Sequence, residues 1–327
     1  MDTKRPTTPA AEEILGGYFP VLDHGFVALV DYMGTDECVE RAARVSYGYG
    51  TRQRSRTRGL VRYLRRHRHT TPSEMVELKF HCAMPMFVAR QWIRHRTANV
   101  NEYSGRYSLM PLLFYRPESE NFALQSRANR QGRLAERAPE ELYAKAIERW
   151  ERVRAQSAEA YGWLLVEDVA RELARIDLPL STYTQWYWKI DLHNLLHFLT
   201  LRVDAHAQWE IRQYGEVMAG ILQRVAPLSY EAWIDYDLAG TRLSRADREV
   251  LAHFLEATES GIEVRQGRER LRAEQLREFG LSGREVRELL EKLSPENPPD
   301  FSLDVSRMRT AEQMEAAIQA AVPSSAE

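Results

Sequence analysis

Residues 84–108, with the sequence MPMFVARQWIRHRTANVNEYSGRYS, join an apolar helical pattern to a run of polar side chains. Pro85 suits a first helical turn, because its missing N–H has no intrahelical partner there. The apolar residues from Phe87 to Trp92 recur at helical spacing and predict one buried face. The helix is expected to end near Arg94. The polar run that follows predicts an ordered loop, in which Gly105 permits a left-handed turn.

A group of basic side chains stands where this helix is expected to end: Arg94, His95 and Arg96. Two guanidinium groups beside free backbone N–H groups are typical of a phosphate site. The simpler interpretation of any single arginine here is a solvated side chain that complements the helix dipole. The whole group favours a binding site, because the short loop after it adds further polar side chains. These are Asn99, Asn101, Glu102, Ser104 and Arg106.

The run from Arg94 to Arg96, followed after seven residues by Ser104, resembles the signature of the flavin-dependent thymidylate synthases. The residues on either side of the run are similar to the same family. So are three later blocks, and together the resemblance covers about residues 25–236. The flanking and later blocks are 90–93, 105–108, 174–179, 195–199 and 201–212.

The resemblance implies an α+β fold, with a central mixed or antiparallel sheet flanked by helices. It implies a homotetramer whose active sites lie between subunits. The implied reaction is the methylation of dUMP to dTMP, with 5,10-methylenetetrahydrofolate as the carbon donor. FAD, recharged by NADPH, is the expected source of hydride. The sequence contains no Gly-x-Gly-x-x-Gly fingerprint, so a Rossmann fold is not expected to hold FAD or NADPH.

The family's dUMP-binding residues carry over to the signature and to two later arginines. Of these, Arg202 is the expected catalytic residue and would stabilise negative charge on the uracil ring. A guanidinium group stabilises such an anion without losing its own proton. The residues that the resemblance assigns to dUMP are Gln91, Trp92, Ile93, Arg94, Glu102, Tyr103, Ser104, Gly105, Arg106, Arg175 and Arg202.

The family's FAD-binding residues carry over to three parts of the chain. Here the chain departs from the family pattern in the segment 191–193, where the family commonly has Asn-x-Arg, and at Ser73 and Met75. The residues that the resemblance assigns to FAD are His69, Thr71, Arg94, His95, Arg96, Glu102, Asp191, Leu192, His193 and His197.

Neither cysteine is placed to act as a nucleophile. Cys82 falls on the apolar face of a predicted strand, and Cys38 falls within a predicted helix. Neither has an adjacent base or basic cluster that would lower the pKa of its thiol. Ser104 has no His or Lys placed by the sequence to act as its base. The lack of an activated nucleophile agrees with the flavin-dependent route.

Two other classes of protein remain open. A metal-dependent hydrolase would use His193, His197 and His206, since histidines four residues apart suit zinc. The intervening residues lack the glutamate of the His-Glu-x-x-His pattern. A nucleic-acid-binding protein would use the arginine-rich stretch 52–68, which contains one aromatic residue, Tyr63. A helix from Leu60 to Arg68 with a solvated basic face explains that stretch better, and a phosphate-rich cofactor nearby is a third explanation.

Periodicity also predicts secondary structure outside the signature. The predicted strands are 25–31, 75–82, 112–115 and 181–190. The predicted helices are 35–46, 60–68, 139–173 as one helix or two, 191–199 with Asp191 as N-cap, 208–225, 243–258, 263–279, 283–293 and 310–321. Residues 121–139 are predicted to be a linker, and Thr71, before Pro72, is predicted to be extended. The helical face of Leu142, Ala146, Trp150 and Val153 is predicted to form core.

The composition is that of a soluble globular protein, with 44% hydrophobic residues, 28% charged residues and a formal net charge of −2. The N-terminal residues lack an apolar signal segment, and no window approaches ~18 consecutive apolar residues. We therefore expect a cytoplasmic protein with neither a membrane nor a nucleic-acid partner and with no bound metal. Three segments are predicted: an N-terminal arm 1–24, a catalytic core 25–236, and a helical extension 237–327 that is dispensable for the chemistry.

Overall fold

A computed structural model describes residues 5–45, 57–127, 131–259, 261–265, 267, 271–272, 274–294, 297 and 299–322. The chain divides into two compact units. The first consists of Met1–Glu231 together with Phe301–Glu327, and the second is Ala232–Asp300. The segment after Phe301 thus returns to the first unit, whereas the sequence-based division kept residues 237–327 together.

A five-stranded sheet forms the centre of the first unit, and every neighbouring pair of strands in it is antiparallel. This confirms the predicted fold class. The strands, in spatial order, are β1 (Tyr18–Val21), β2 (Gly25–Met33), β3 (Glu77–Pro85), β7 (Tyr183–Asp191) and β4 (Asn99–Glu102). The strands predicted at 25–31, 75–82 and 181–190 are confirmed as β2, β3 and β7.

One face of β3 is buried, as its alternating sequence predicts. Leu78, Phe80 and Cys82 are completely buried, whereas Lys79 and His81 on the other face are partly exposed. The strand predicted at 112–115 is wrong. Only an isolated bridge from Phe114 to Thr182 forms there, because Leu112 has a φ of 45° and interrupts the extended backbone.

Thirteen helices lie in the described residues, and most of the predicted ones are among them. They are α1 (Pro9–Glu12), α2 (Asp36–Val45), α3 (Thr57–Arg66), α4 (Thr71–Glu74), α5 (Met86–Trp92), α6 (Glu140–Val166), α7 (Arg171–Ala174), α8 (Leu192–Arg202), α9 (Trp209–Val225), α10 (Pro227–Trp233), α11 (Arg245–Phe254), α12 (Gly283–Lys292) and α13 (Ala311–Ala321). None of the helices in this part of the chain is long and apolar enough to cross a membrane.

The structure tests two predictions about backbone conformation, one at the start of α8 and one at the start of α4. Asp191 is the N-cap of α8, because its Oδ1 accepts from the backbone N–H of Asn194 at 2.9 Å. Thr71 was expected to be extended, and this is wrong. It begins the short helix α4, with Pro72 in the first turn, where a missing N–H costs no hydrogen bond.

The predicted linker 121–139 is wrong, because a hairpin forms within it. Its strands are β5 (Ala123–Gln125) and β6 (Arg133–Arg137), and residues 128–130 lie outside the described part of the chain. The polar composition that suggested a linker belongs to a hairpin with mostly exposed side chains.

The apolar face predicted on α6 is not core within this chain. Leu142, Trp150 and Val153 are 42%, 40% and 55% exposed, and only Ile147 and Tyr161 of this helix are buried. Periodicity shows that a helix has an apolar face, but it does not show what covers that face.

An aromatic cluster fills the space between the sheet and helices α5, α8 and α9. The ring of Trp92 lies 5.4 Å from Trp186, 5.3 Å from Trp188 and 5.1 Å from Phe198. Aromatic pairs at these separations add to the stability gained from burial alone. The cluster fixes α5, and therefore the start of the signature loop, against the sheet.

The end of the first unit covers one edge of the sheet. Tyr18 and Arg309 exchange both backbone hydrogen bonds, at 2.9 and 2.8 Å. The predicted helix at 310–321 is confirmed as α13, which begins with a capping box at Thr310. Its Met314 is buried against Phe26 and Ala83.

The second unit contains α11, α12 and a small hairpin, with an apolar core of its own. The core residues include Val250, Val286 and Leu289. The helices predicted at 243–258 and 263–279 are only partly correct. The first ends at Phe254 and is followed by the strands Leu255–Thr258 and Gly261–Val264. The second is reduced to a 3₁₀ turn, Gln275–Phe279.

Candidate active site

The signature begins where α5 leaves the core. Trp92, the last residue of the helix, is completely buried in the aromatic cluster, so its side chain supports the fold. Ile93, Arg94 and Arg96 are exposed immediately after it. Trp92 is one of the residues assigned to dUMP, and its side chain faces the core. Only its backbone remains available to a nucleotide.

Arg202, at the end of α8, reaches the same place from the other side. Its Nε donates to Nε2 of His95 at 3.0 Å, and its Nη2 donates to the backbone oxygen of Gln91 at 3.2 Å. Burial, together with the smaller effects of the charges of Arg202 and His197, lowers the pKa of His95 from its ordinary value to about 4. At neutral pH His95 is therefore uncharged and accepts the hydrogen bond from Arg202.

The charge of Arg202 is not neutralised within the described residues. Both of its hydrogen-bond acceptors are neutral, and no carboxylate among these residues forms an ion pair with it. Burial lowers the pKa of its guanidinium group, but this group retains its proton at any physiological pH. A half-buried cation without a counter-charge favours the binding of an anion.

The polar run after the helix contains a strand that the sequence reading missed. Asn99 to Glu102 form β4, which pairs with the outer edge of β7 and places Glu102 opposite Trp186. Oε1 of Glu102 accepts from the hydroxyl of Thr184 at 2.7 Å. The composition suggested a loop, and the free edge of β7 is what makes the segment a strand.

A tight turn follows β4 and brings Arg175 to the signature. The backbone N–H groups of Tyr107 and Ser108 both donate to the backbone oxygen of Ser104, at 3.0 and 3.1 Å. A Cβ atom on Gly105 would lie 2.6 Å from Sδ of Met110 and 3.0 Å from Cδ of Arg175. Glycine is therefore required for close packing. The left-handed turn expected at this position does not occur.

The arginines of the site differ in whether they form an ion pair within the chain. Nε of Arg106 forms an exposed ion pair with Glu172 at 2.9 Å. Arg94, Arg96 and Arg175 form no ion pair with any residue that the structure describes. Unpaired guanidinium groups suit phosphate groups, which they bind through two parallel hydrogen bonds.

Of the residues assigned to FAD, Thr71 lies on α4, and Leu192, His193 and His197 lie on α8; these two helices pack together. His69, Thr71 and His197 are exposed. Nδ1 of His193 is buried and has no hydrogen-bond partner among the described residues. A buried ring nitrogen without a partner is the kind of group that a bound molecule satisfies.

Two other members of the FAD assignment have structural roles. Both carboxylate oxygens of Asp191 accept from Asn194, at 2.9 and 2.7 Å. Leu192 is completely buried, and its N–H donates to the oxygen of Val76 at 2.7 Å. Of the segment 191–193, His193 has the buried side-chain nitrogen that lacks a hydrogen-bond partner among the described residues.

The chain brings the site residues together as two separate groups. The first contains Gln91, His95, His197 and Arg202, and the second contains 102–106 with Arg175. No hydrogen bond or ion pair between described residues joins one group to the other. Each group carries an unpaired guanidinium group.

Comparison with known proteins shows which family the chain belongs to. The family described as "Thymidylate synthase complementing protein" matches residues 28–228. The flavin-dependent thymidylate synthase of Rickettsia bellii (strain RML369-C) is 49% identical over 265 residues, which are 77% of this chain and 90% of the relative. The chain belongs to the flavin-dependent thymidylate synthase family. The enzyme of the same name from Gluconobacter oxydans (strain 621H) is 54% identical over 245 residues, which are 74% of this chain and 80% of that protein.

Solved structures similar to this family member include a nucleotide methylase. The UMP/dUMP methylase PolB from Streptomyces cacaoi, bound with 5-Br UMP, is 32% identical, with a TM-score of 0.60. The match covers 67% of this chain and 98% of PolB. The same protein bound with 5-Br dUMP gives a TM-score of 0.61.

No activated nucleophile lies in the signature of this family member. Cys82 is completely buried, as predicted, and burial raises the pKa of its thiol. The hydroxyl of Ser104 accepts from the backbone N–H of Arg106 at 3.3 Å, and no histidine or lysine in the described residues contacts it. A protonated, buried thiol is inert as a nucleophile.

The two alternative classes gain no support from the described residues. No group of three His, Cys, Asp or Glu side chains among them is arranged to hold a metal ion. In the basic stretch, Nε of Arg58 pairs with Glu231 at 2.9 Å, and Arg62 pairs with the same carboxylate. Arg52, Arg54 and Arg56 lie outside the described residues.

The sequence reading missed three residues behind Gln91. Nε2 of Gln91 donates to Oε1 of Gln208, and Nε2 of Gln208 donates to Oε2 of Glu210 at 2.9 Å. Arg133 in turn donates to Glu210 at 2.8 Å. The block 201–212 indicated that Gln208 and Glu210 belong to the family pattern. Nothing in the sequence indicated Arg133, which lies 77 residues away in the supposed linker.

Proposed function

We propose that this chain is a flavin-dependent thymidylate synthase that converts dUMP into dTMP. Its co-substrates would be 5,10-methylenetetrahydrofolate, which donates the carbon, and NADPH, which reduces FAD. One observation carries the proposal: in a chain of this family, the half-buried Arg202 has only neutral partners, and both of them, Gln91 and His95, belong to the signature.

The cations explain how an anionic nucleotide would be held. Arg94 and Arg175 are free to bind the phosphate of dUMP, because neither has an ion-pair partner among the described residues. Arg202 would face the uracil ring and stabilise negative charge that develops there. His95 sets the orientation of the Arg202 guanidinium group, because it accepts a hydrogen bond from Nε and leaves the Nη1 hydrogens available.

The residues around α8 fit FAD. The unpaired guanidinium groups of Arg94 and Arg96 suit the diphosphate of FAD. Nδ1 of His193 is buried without a hydrogen-bond partner among the described residues, and a bound cofactor would provide one. His69, Thr71 and His197 are exposed beside them. When bound and reduced, the flavin supplies the two electrons that turn the transferred one-carbon unit into a methyl group.

The overall reaction balances without a protein nucleophile. The C5–H bond of uracil breaks with loss of a proton, and a bond forms from C5 to the methylene carbon of the folate. The two bonds from the methylene carbon to folate nitrogens break, and these nitrogens take up two protons, one equivalent to the proton lost from C5 and one from solvent. A hydride that originates in NADPH completes the methyl group, and tetrahydrofolate and NADP⁺ leave. This chain's own part is to polarise the ring through Arg202, which agrees with the inert state of Cys82.

We also propose that the enzyme is a cytoplasmic homotetramer with active sites between subunits. The two groups of site residues are not joined by hydrogen bonds within the described part of one chain. Apolar side chains on α6 are uncovered in the single chain, with Val153 55% exposed. A second subunit would cover such a face and complete each site.

UMP is a second candidate substrate, because the similar solved structure is titled a UMP/dUMP methylase. The pyrimidine ring and the 5′-phosphate are common to both nucleotides, so the arginines described above would serve either one. Parallel assays with UMP and dUMP at equal concentration distinguish the two, and we expect dUMP to be preferred.

The test is to incubate the purified protein with FAD, NADPH, methylenetetrahydrofolate and [5-³H]dUMP, and to measure tritium release together with dTMP. We expect both products, with a flavin absorbance spectrum in the reconstituted protein. Release of tritium without dTMP, or a protein that binds no FAD, contradicts the proposal. For substitutions of the site arginines, the matched control is Arg224→Ala, which removes an arginine outside the site whose ion-pair partner is Glu13.

A further inference from the structure

A chain of hydrogen bonds leads from the candidate site into the protein interior. Gln91 donates through Nε2 to Oε1 of Gln208, and Gln208 donates through Nε2 to Oε2 of Glu210 at 2.9 Å. Glu210 also accepts from Nη2 of Arg133 at 2.8 Å and from the hydroxyl of Tyr115 at 3.3 Å. Glu210 is buried, whereas Gln208 is exposed.

The buried end of this chain fixes the direction of every bond in it. Glu210, paired with Arg133, is a carboxylate and can only accept hydrogen bonds. Gln208 must therefore turn its NH₂ group towards Glu210 and its carbonyl oxygen towards Gln91. Gln91 must then offer its own NH₂ group to Gln208. The side-chain carbonyl oxygen of Gln91 is left for another partner.

We propose that Gln208, oriented by Glu210 and Arg133, is a positioning residue that makes Gln91 a hydrogen-bond acceptor towards the bound nucleotide. Gln91 is well placed for this role, because its backbone oxygen also accepts from Nη2 of Arg202 at 3.2 Å. The acceptor and the uncompensated cation are thus held in one arrangement. The inference rests on the proposed function, since the nucleotide is taken to be dUMP.

A hydrogen-bond acceptor at Gln91 favours a ligand that presents a hydrogen-bond donor at that position. Deoxyuridine monophosphate has two donors apart from its phosphate, the ring N3–H and the ribose 3′-hydroxyl. If the amide of Gln91 were free to turn over, it would present its NH₂ group half of the time, and the preference for a donor would be lost. Two analogues separate the sources: N3-methyl-dUMP lacks the ring donor, and 2′,3′-dideoxyuridine monophosphate lacks the ribose donor.

The experiment compares Gln208→Met with a matched control, Gln213→Met. Gln213 lies on the same helix and donates to Glu216 at 3.1 Å, so the control also removes a glutamine–glutamate hydrogen bond, but not one linked to Gln91. Binding of dUMP and of both analogues is measured by calorimetry on the FAD-loaded protein. FAD content and the thermal unfolding midpoint are recorded for each variant.

We expect Gln208→Met to weaken dUMP binding by about 10-fold, which is the scale of one oriented hydrogen bond. The weakening should disappear for the analogue that lacks the contacted donor and persist for the other. Glu210→Gln keeps the shape of the side chain but can donate as well as accept, so we expect a smaller loss of about 3-fold. FAD content should be unchanged in all variants.

Two results would overturn the inference and leave the proposed function intact. One is a Gln208→Met protein that forms dTMP and binds dUMP as tightly as Gln213→Met. The other is an equal loss of affinity for dUMP and for both analogues, which indicates general disruption of the site. A wild-type protein that binds FAD but no dUMP would overturn both proposals.

Discussion

At the scale of single residues, the site depends on a contrast between two arginines. Arg106 is already paired with Glu172, whereas Arg202 is half-buried and hydrogen-bonded only to neutral groups. An exposed pair such as the first contributes little, because water screens it. A desolvated cation such as the second interacts strongly with charge that develops on a ligand. Under the proposed function, the charge of Arg202 remains available to the substrate.

We expect Arg202→Ala to reduce dTMP formation by about 10²-fold or more, the scale of removing one preorganised electrostatic group. FAD content should survive, because the FAD assignment rests on other residues. Tritium release from [5-³H]dUMP measures the loss. Cys82→Ala is the companion variant, and it should retain turnover at a stability cost of about 1 kcal/mol. An inactive Cys82→Ala protein beside a fully active Arg202→Ala protein would show that a thiol carries the reaction.

His95 gives a prediction about pH. Its folded-state pKa of about 4 lies below the ordinary value of 6.5, so between these values the unfolded chain binds more protons than the folded one. The stability that His95 contributes is thus fully present above pH 6.5 and is lost as the pH falls towards 4. Urea denaturation at pH 5 and pH 7 should show a smaller difference in His95→Gln than in the wild type. An equal difference in the two proteins would show that His95 is protonated in the fold at pH 5.

At the scale of elements, the end of the first unit is part of the fold. Helix α13 packs Met314 against Phe26 and Ala83, and Arg309 is paired with Tyr18 at the sheet edge. Phe26 lies in β2, the strand next to β3, from which α5 and the signature follow. Removing residues after Phe301 would therefore expose apolar surface on the sheet that supports the site.

We expect Met314→Ala to lower the free energy of unfolding by about 2–5 kcal/mol, the usual range for truncating a buried methionine. Glu315→Ala, the exposed neighbour on the same helix, should change it by less than about 0.5 kcal/mol. Urea denaturation followed by tryptophan fluorescence compares the two. Equal stability of both variants would mean that α13 is not held against the sheet in solution.

At the scale of the whole molecule, the chain combines a catalytic unit with a second unit that contains none of the assigned site residues. The second unit, Ala232–Asp300, has its own apolar core, in which Leu289 is almost completely buried. The expectation that the extension is dispensable for the chemistry therefore applies to this unit, while the residues from Phe301 belong with the sheet.

We expect Leu289→Asp to unfold the second unit and to leave dTMP formation within about 2-fold of the wild type, because a charge in that core has no partner. Limited proteolysis should cut the variant within residues 232–300 and spare the first unit. Loss of dTMP formation in a variant that remains assembled and flavin-bound would show that the second unit contributes to catalysis.

The assembly is also tested at this scale. Light scattering of the wild-type protein should give a mass of about four chains of 38.0 kDa. The apolar face of α6 and the two unconnected groups of site residues are the physical reasons. An active monomer would contradict the prediction.

Features that depend on short stretches of chain could be inferred from the amino-acid sequence alone. The alternation in β3, the cap of α8 at Asp191 and the apolar stripe ending at Trp92 were all readable, because their causes lie within a few residues. The spacing from Arg94 to Ser104 was likewise sufficient to indicate the family. Local periodicity and local motifs are properties of the chain before it folds.

The contacts that those stretches make with the rest of the chain depend on tertiary packing. Residues 99–102 became a strand because β7 offers them a free edge, and the supposed linker became a hairpin whose Arg133 reaches a glutamate 77 residues away. The charge state of His95 and the unpaired state of Arg202 depend on burial and on neighbours brought from distant parts of the chain. A sequence does not contain these distances, because they arise only when separate elements pack together.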